Sequence, residues 1–175
     1  MPACRGVPVD ERLGPRRPEL RSPRVLIEVV HPADVLFFFT PIRLLREQGV
    51  EVLVVSRDKD IALSLLDELA LEHEPISRAG RGLGGLALEL IGREWALQRV
   101  VRRFRPQLMS GFGAVAISHV GAMWGIPVLS FYDTEKATLQ QRLAQPFLTH
   151  LFVPESYTGR VRSGRTTRFP GVKEL

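Results

Sequence analysis

Strand-like and helix-like segments alternate strictly along most of this chain, and this alternation restricts the possible folds more than any other feature. Short segments, most of them apolar and β-branched, predict strands at 24–30, 50–55, 74–77, 107–111, 127–131 and 150–153. Segments with helical periodicity or few charges separate them. Because parallel strands require such crossover connections, the pattern predicts an α/β fold with a Rossmann-like, doubly wound parallel sheet.

Local signals place the ends of the predicted helices. A first helix over 35–48 ends before Gly49, and a fourth over 114–124 ends before Gly125, where glycine commonly follows a helix. A fifth helix is predicted over 134–145, where Pro146 follows.

The second and third helices are predicted from apolar stripes. Ser56 to Asp58 offer a cap for the second helix, and 79–85 is predicted to be a loop before the third. The apolar stripe of the second helix is predicted to consist of Ile61, Leu65 and Leu69, with Ala62 and Leu66 beside them. That of the third helix is predicted to consist of Leu86, Leu90, Leu97, Val101 and Phe104.

Positive charge is in excess, with 24 basic against 19 acidic residues and a net charge of +5. Arginine supplies 21 of the 24 basic residues. No aromatic residues are interleaved with them to stack on bases, and no helix-turn-helix or zinc spacing occurs, so specific nucleic-acid binding is not expected. A weak peripheral contact with anionic membrane surfaces is left open. The terminal arginines are Arg5, Arg12, Arg16, Arg17, Arg21 and Arg24, then Arg160, Arg162, Arg165 and Arg168.

The single cysteine, Cys4, rules out an internal disulfide framework and fits a reducing compartment, so a cytoplasmic location is expected. Residues 1–22 are rich in Arg, Pro and Gly but lack the apolar core of a secretion signal, which predicts a disordered leader. The folded domain is expected to span 23–170. Residues 171–175 are expected to begin a linker to a C-terminal domain that is missing from the chain.

In an open parallel sheet, ligands bind beyond the carboxyl ends of the strands, which directs attention to the loops after the predicted strands. His31 comes directly after the first strand, and Asp34 lies three residues further, at a helix start. A histidine there can act as a general base or orient a substrate hydroxyl. The alternative is structural: Asp34 caps the helix and His31 packs against the chain.

A second group of candidate residues follows the fifth strand. Asp133 and Glu135 place two carboxylates beside the next predicted helix, where they can hold substrate hydroxyls or act as an acid–base pair. Capping explains Asp133 and Thr134 equally well, and the helix dipole favours Glu135. The remaining candidate binding residues of these loops are Arg57, Asp58, Gly111, Gly113 and Thr134.

The glycines of 79–85 resemble a phosphate cradle, but their spacing matches neither a P-loop nor a dinucleotide fingerprint. Loop flexibility is the simpler interpretation. His119 is predicted to be a satisfied core histidine, and His73 and His150 have no partner at metal-ligand spacing. Neither a metal nor a cofactor is therefore expected.

Five segments, taken together and in this order, resemble one family: 29–38 (VVHPADVLFF), 56–60 (SRDKD), 80–85 (GRGLGG), 133–137 (DTEKA) and 169–175 (FPGVKEL). Over about residues 24–175 the chain resembles the uncharacterised family called domain of unknown function 354, from archaea and some bacteria. That family is similar to the GT-B superfamily. Relatives include UDP-N-acetylglucosamine 2-epimerase and the transferase that adds N-acetylglucosamine to lipid-linked peptidoglycan precursors.

The resemblance implies that this chain is a single N-terminal GT-B-type domain, the first half of a two-domain protein. In GT-B proteins this domain mainly holds the acceptor, whereas the C-terminal domain supplies most of the nucleotide-sugar site. His31 falls at the family's histidine after the first strand, and Asp133 and Glu135 fall in its acidic motif. The implied partners are a nucleotide-sugar donor, bound through the second domain, and a hydroxyl acceptor.

The sequence departs from the family at several positions. Asp34, Leu36 and Lys136 stand where histidines are common in the family. Thr40-Pro41 is unusual inside a helix because proline removes a hydrogen bond, and Thr40 can instead cap a helix that begins at Pro41. These departures put general-base roles other than that of His31 in doubt.

Three functions fit these observations. The leading hypothesis is a glycosyltransferase-like acceptor domain that is inactive alone. The alternatives are a nucleotide-sugar epimerase-like or hydrolase-like half-domain, since fold does not fix chemistry, and a non-catalytic binding module. A dinucleotide oxidoreductase is the least expected, because the first loop has His31 and Pro32 where glycines are needed.

Overall fold

Strands and helices alternate throughout the part of the chain that the computed structural model describes, residues 22–58, 61–78, 80, 82–133, 137–161 and 164–171. The strands are β1 (Arg24–Val29), β2 (Glu51–Asp58), β3 (His73–Arg78), β4 (Leu108–Phe112), β5 (Val128–Phe131), β6 (His150–Pro154) and β7 (Thr166–Phe169). The helices are α1 (Pro32–Glu47), α2 (Ala62–Glu68), α3 (Gly82–Phe104), α4 (Val115–Trp124) and α5 (Thr138–Ala144), and a 3-10 turn at Gln145–Phe147 follows α5.

The strands form one parallel sheet in the order β3-β2-β1-β4-β5-β6-β7. The chain winds outward from β1 to β3, crosses back through α3, and then winds in the other direction from β4. The predicted doubly wound parallel sheet is therefore confirmed. The last strand, β7, lies in the strand-like segment before Gly171.

The two faces of the sheet bury separate apolar layers. Because side chains alternate along β1, Leu26 points to the layer under α3 and α4, whereas Ile27 and Val29 point to the layer under α1 and α2. Full burial of one such side chain contributes about 1.5–3 kcal/mol. The fully buried large residues include Leu26, Ile27, Ile42, Leu66, Leu97, Met109 and Ile117.

Helix α1 begins earlier than predicted and runs through its proline. Pro32 occupies the first turn, where its missing N–H has no helical partner in any case. Pro41 lies in the helix interior, so the prediction that Thr40 caps a new helix is wrong. Burial of Phe38 and Ile42 on either side of Pro41 keeps this face of the helix against the sheet and outweighs the lost hydrogen bond.

The connection after β2 also differs from the prediction. Residues 56–58 belong to the strand, and Ser56 is buried within it, so they do not cap α2. The register with β3 shifts between Ser56 and Arg57, and pairing continues to Asp58. Ala62 and Leu66 are buried, and Leu65 and Leu69 pack partly buried against the same layer. Ile61 departs from the predicted stripe, because it precedes α2 and is exposed.

Two predicted boundaries near the glycine segment and α5 are wrong. Gly82 already belongs to α3, so the helix begins within the segment predicted to be a loop, and Leu86 is exposed rather than buried. Helix α5 begins at Thr138 after Ala137, so Asp133 does not cap it. Thr134, Glu135 and Lys136 lie outside the described residues, as does the predicted leader up to residue 21.

Candidate functional site

The carboxyl ends of β1, β2, β4 and β5 surround an open cleft of about 190 Å³. It lies where the chain reverses its winding direction, between β1 and β4. Open α/β sheets bind ligands at this point, because the loops on either side diverge and leave a crevice. The cleft is lined by Val30, His31, Asp34, Arg57, Phe112, Gly113, Phe131, Tyr132, Asp133, Ala137 and Gln140.

His31 stands at the entrance to α1 with an exposed side chain. Its Nδ1 accepts a hydrogen bond from the backbone N–H of Ala33 at 3.3 Å. A neutral imidazole whose Nδ1 accepts carries its proton on Nε2. In this conformation His31 therefore offers a ligand an N–H donor, and it becomes a proton acceptor only when the cap to Ala33 opens.

Asp34 holds the backbone that carries this histidine. Its buried carboxylate accepts from the N–H of Val30 at 3.0 Å and from the N–H of His31 at 2.9 Å. The two side chains form a capping box, each satisfying a backbone donor near the other. Asp34 also lines the cleft, and these hydrogen bonds show that its carboxylate holds the backbone between β1 and α1. Its predicted role in substrate binding stays a prediction.

Asp133 lines the same cleft as His31 and lies two residues after the end of β5. The structure thus brings together one histidine and one carboxylate of the predicted catalytic set. Glu135 and Thr134, the other members of this loop, lie outside the described residues, so their place relative to the cleft stays a prediction. An acid and an imidazole at a shared opening can bind and polarise a hydroxyl group.

Tyr132 is a further residue lining the cleft that the sequence analysis missed. Its side chain is buried, and its hydroxyl has no hydrogen-bond partner among the residues that the structure describes. Burial, and to a smaller extent the neighbouring Tyr157, raise the pKa of Tyr132 above its ordinary value. The hydroxyl therefore stays protonated, and it is enclosed in the buried layer under α3 and α4 rather than exposed to the cleft.

Arg57 is fixed by an acidic partner on α3. Its Nε and one terminal nitrogen each lie 2.5 Å from an oxygen of Glu89, the bidentate geometry that carboxylate–guanidinium pairs favour. Glu89 also accepts from the Gly80 N–H at 2.8 Å and from the Ser77 hydroxyl at 3.3 Å. Burial acts to raise the pKa of Glu89, but the Arg57 and Gly80 hydrogen bonds lower it overall.

Below the cleft, Glu28 of β1 faces Arg93 of α3, and both are almost fully buried. The closest approach, between Oε1 of Glu28 and Nε of Arg93, is 3.7 Å, and neither atom has a hydrogen-bond partner within the described ranges. Burial raises the pKa of Glu28 despite the attraction of Arg93. The signal that the sequence analysis passed over was a carboxylate inside an otherwise apolar strand.

The three remaining predicted binding residues occupy different environments. Gly113 lines the cleft with φ +60°, whereas Gly111 is buried within β4 and does not line it. A Cβ on Gly111 would lie 3.0 Å from the Glu28 carbonyl oxygen, so this glycine serves packing between β1 and β4. Asp58 pairs with Arg78 at 3.3 Å near the strand ends and does not line the cleft.

Aromatic side chains support the cleft from the side of α1. The rings of Phe37, Phe112 and Phe131 meet with centroid separations of 4.8–5.4 Å. Phe131 stacks in turn on Phe152 of β6 at 5.1 Å. Such contacts stabilise the ends of β4 and β5, and they give the cleft one apolar wall opposite its polar groups.

The other histidines make internal contacts. His119 is partly buried between the Glu94 carboxylate at 2.6 Å and the Leu143 carbonyl at 3.1 Å, as expected for a satisfied histidine. His73 contacts the Ser56 hydroxyl at 2.8 Å, and His150 contacts the Thr167 hydroxyl at 2.8 Å. Across the described ranges, no three His, Cys, Asp or Glu side chains are grouped to hold a metal ion.

The sequence matches the model of one protein family. The model of a family described as protein of unknown function (DUF354) matches residues 24–163. A comparison with curated proteins gives no match. Among the residues described, no helix has both the length and the apolar character needed to cross a membrane.

Solved structures share the fold at low sequence identity. Acinetobacter baumannii MurG superposes with a TM-score of 0.68 at 15% identity, over 83% of this chain and 45% of MurG. Spinosyn rhamnosyltransferase SpnG, complexed with thymidine diphosphate, superposes with a TM-score of 0.61 at 12% identity. The superposition covers 83% of this chain and 49% of SpnG. UDP-GlcNAc 2-epimerase from Methanocaldococcus jannaschii superposes with a TM-score of 0.60 at 15% identity, over 75% of this chain and 39% of the epimerase. The chain thus spans less than half the length of each of these structures.

Proposed function

This chain belongs to the DUF354 family, and on that premise we propose that it is the acceptor-binding domain of a GT-B-type glycosyltransferase. The observation that carries the proposal is the cleft at the reversal point of the sheet, which His31 and Asp133 both line. The fold, shared with a rhamnosyltransferase, supports it. The donor would be a nucleotide sugar, and the acceptor a compound with a free hydroxyl group.

In the proposed reaction, the acceptor oxygen bonds to the anomeric carbon of the sugar as the bond from that carbon to the nucleoside diphosphate breaks. The hydroxyl proton passes to a base of the cleft. The Asp133 carboxylate is the base we assign to this step, because His31 can take the proton only after its Nδ1 releases the Ala33 N–H. We assign His31 the task of orienting the acceptor oxygen through Nε2–H in the capped conformation. Positioning of this kind supplies much of the rate enhancement in such reactions.

A second domain would complete the nucleotide-sugar site. The chain covers 45% of MurG and 49% of the rhamnosyltransferase, so a comparable part of those proteins has no counterpart in it. We therefore propose that the 175-residue chain alone transfers no sugar at a detectable rate. Transfer from any nucleotide sugar by the purified chain would contradict this part of the proposal.

The decisive experiment joins this domain to a C-terminal GT-B-type domain of its family and screens the products formed from nucleotide sugars. We expect a glycosylated acceptor, and at least a hundredfold loss of rate in Asp133→Asn. His31→Asn is the matched variant for the imidazole, because asparagine preserves a helix cap while removing the ring. Rates unchanged in both variants would refute the proposed site. A 2-epimerised or hydrolysed nucleotide sugar as the only product would favour the alternative enzymes.

Peripheral contact with anionic membranes forms a second part of the proposal, supported by the outer surface of α3. Leu88, Ile91 and Trp95 are 73%, 55% and 68% exposed. Arg99 and Arg102 continue the same stripe at helical spacing, so apolar and basic side chains point in one direction. This combination suits the headgroup region of an anionic bilayer. Of the terminal arginines on which the sequence expectation rested, Arg168 is engaged with backbone carbonyls.

A further inference from the structure

A second opening lies beside the cleft, between α5 and the segment that follows β6. It encloses about 650 Å³ and is lined by Thr138, Gln141, Arg142, Gln145, Thr158, Gly159 and Arg160. We refer to it as the α5 groove. Apart from Gly159, the described residues that line it have polar or basic side chains, and none of them is acidic. Two arginines, two threonines and two glutamines therefore line a space large enough for a small phosphorylated molecule.

The wall of the α5 groove formed by residues after β6 is held in place by specific contacts. The Arg168 guanidinium donates to the Tyr157 carbonyl at 2.6 Å and to the Glu155 carbonyl at 3.2 Å. The Gln145 side chain donates to the Arg160 carbonyl at 3.2 Å, which ties this segment to α5. These contacts fix the backbone from which Arg160 projects.

Gly159 is a second sign that this wall is specifically built. The Tyr157 side chain is buried, and a Cβ on Gly159 would lie 2.4 Å from its hydroxyl oxygen. Any larger residue would have to push the backbone or the ring aside. The close approach sets the path of the chain between Tyr157 and Arg160.

The charge of the α5 groove is positive and not compensated locally. Arg142 and Arg160 come from different elements, and neither forms an ion pair with any residue that the structure describes. Guanidinium groups bind phosphate oxygens through paired, charge-assisted hydrogen bonds. The hydroxyl of Thr138 supplies a further donor.

The α5 groove adjoins the cleft through the first turn of α5. Ala137 and Gln140 line the cleft, and their neighbours Thr138 and Gln141 line the groove. We propose that the α5 groove binds the phosphate or diphosphate group of the acceptor, while the acceptor hydroxyl enters the cleft at Asp133. The link between the two sites rests on the proposed function, whereas phosphate binding by the groove does not.

The first test measures binding of inorganic pyrophosphate to the full chain by isothermal titration calorimetry. We expect Arg142→Gln combined with Arg160→Gln to weaken binding at least tenfold. Arg43→Gln combined with Arg46→Gln is the matched control, since it removes two charges from the exposed face of α1. If pyrophosphate binding weakened equally in both double variants, the effect would come from net charge alone, and the inference would be overturned. Unchanged binding in the groove variant would overturn it as well.

A second arm uses glucose 1-phosphate, which carries both a phosphate and sugar hydroxyls. We expect its binding to weaken in the groove variant and also in Asp133→Asn, whereas pyrophosphate binding is unchanged in Asp133→Asn. If glucose 1-phosphate binding weakened only in the groove variant, the α5 groove would be a site for phosphates that is independent of the cleft. The proposed link between the two sites would then be refuted. If pyrophosphate binds as expected but the completed enzyme transfers no sugar, the proposed function fails and the phosphate site stands.

Discussion

His31 and Asp34 cap the first turn of α1 reciprocally: the imidazole accepts from a backbone N–H inside the helix, and the carboxylate accepts from the N–H of His31 itself. The imidazole that lines the cleft is thus part of the device that begins the helix. Its chemistry and its structural task compete for the same nitrogen, Nδ1. We therefore expect substitutions of His31 and Asp34 to have different effects on stability.

We expect Asp34→Ala to lower the free energy of unfolding by about 1–3 kcal/mol, because it leaves the partly buried N–H groups of Val30 and His31 without that carboxylate. His31→Asn should change stability by less than about 0.5 kcal/mol, since asparagine caps helices well. Urea denaturation followed by circular dichroism measures both. Equal stability of Asp34→Ala and the unsubstituted chain would show that the cap is unimportant.

Glu28 should make stability fall as the pH rises. Burial raises its pKa in the folded state above the ordinary value of 4.5, so the unfolded chain releases the proton first. The stability that protonated Glu28 confers is present below about pH 4.5 and is lost as the pH rises through the folded-state pKa. Urea denaturation over this range should show the unsubstituted chain losing stability relative to Glu28→Gln. A constant difference between the two proteins would contradict the assignment.

Glu89 should have the opposite dependence. Its folded-state pKa lies below the ordinary value, so its contribution is complete above about pH 4.5 and is lost as the pH falls through the folded-state pKa. At pH 7 we expect Glu89→Gln to cost about 1–3 kcal/mol, since charge-assisted hydrogen bonds to Arg57 are lost. Thermal unfolding at several pH values tests this. If the stability lost in Glu89→Gln increased as the pH fell, the result would contradict this prediction.

Gly111 and Gly113 should respond differently to alanine. In Gly111→Ala the new Cβ would meet the Glu28 carbonyl at 3.0 Å and the Ile117 side chain at 3.2 Å, so we expect a loss of about 1–3 kcal/mol. Gly113→Ala meets nothing closer than 3.5 Å, and its φ of +60° should cost about 1–2 kcal/mol. Calorimetric unfolding ranks the two. If Gly111→Ala unfolded at the same temperature as the unsubstituted chain, the result would argue against the role of Gly111 in packing β1 against β4.

The α3 surface predicts binding to anionic vesicles. Replacing Leu88 and Trp95 with glutamine should reduce cosedimentation with phosphatidylglycerol vesicles at least tenfold, because burial of each apolar side chain contributes about 1.5–3 kcal/mol. Leu36→Gln is the control, since Leu36 is equally exposed but lies on α1, on the other side of the sheet. No binding of the unsubstituted chain, or an equal loss in the control, would exclude this surface.

Most of the fold could be predicted because local rules and the global topology agree. Gly49 and Gly125 end α1 and α4 in the left-handed conformation, with φ of +78° and +64°. The errors fall where tertiary packing overrides a local signal. Pro41 remains inside α1 because Phe38 and Ile42 are buried on either side of it, and residues 56–58 extend β2 because β3 pairs with them.

The candidate site could be predicted only in outline. His31 and Asp133 were expected at one edge because the carboxyl ends of parallel strands meet there, and both line the cleft. Tyr132, Glu89 and Arg93 were missed. No local pattern marks them, because their roles depend on which strand end each one reaches.

The sequence alone determined the order of strands and helices, the direction of the strands and the edge at which polar loops collect. These depend on periodicity and on the handedness of crossovers, which are properties of neighbouring residues. Only the tertiary structure decided which side chains meet, such as Arg57 with Glu89 and Glu28 with Arg93. Such pairs join residues far apart in the chain, and their registration depends on how α3 packs across the sheet, which no short segment encodes.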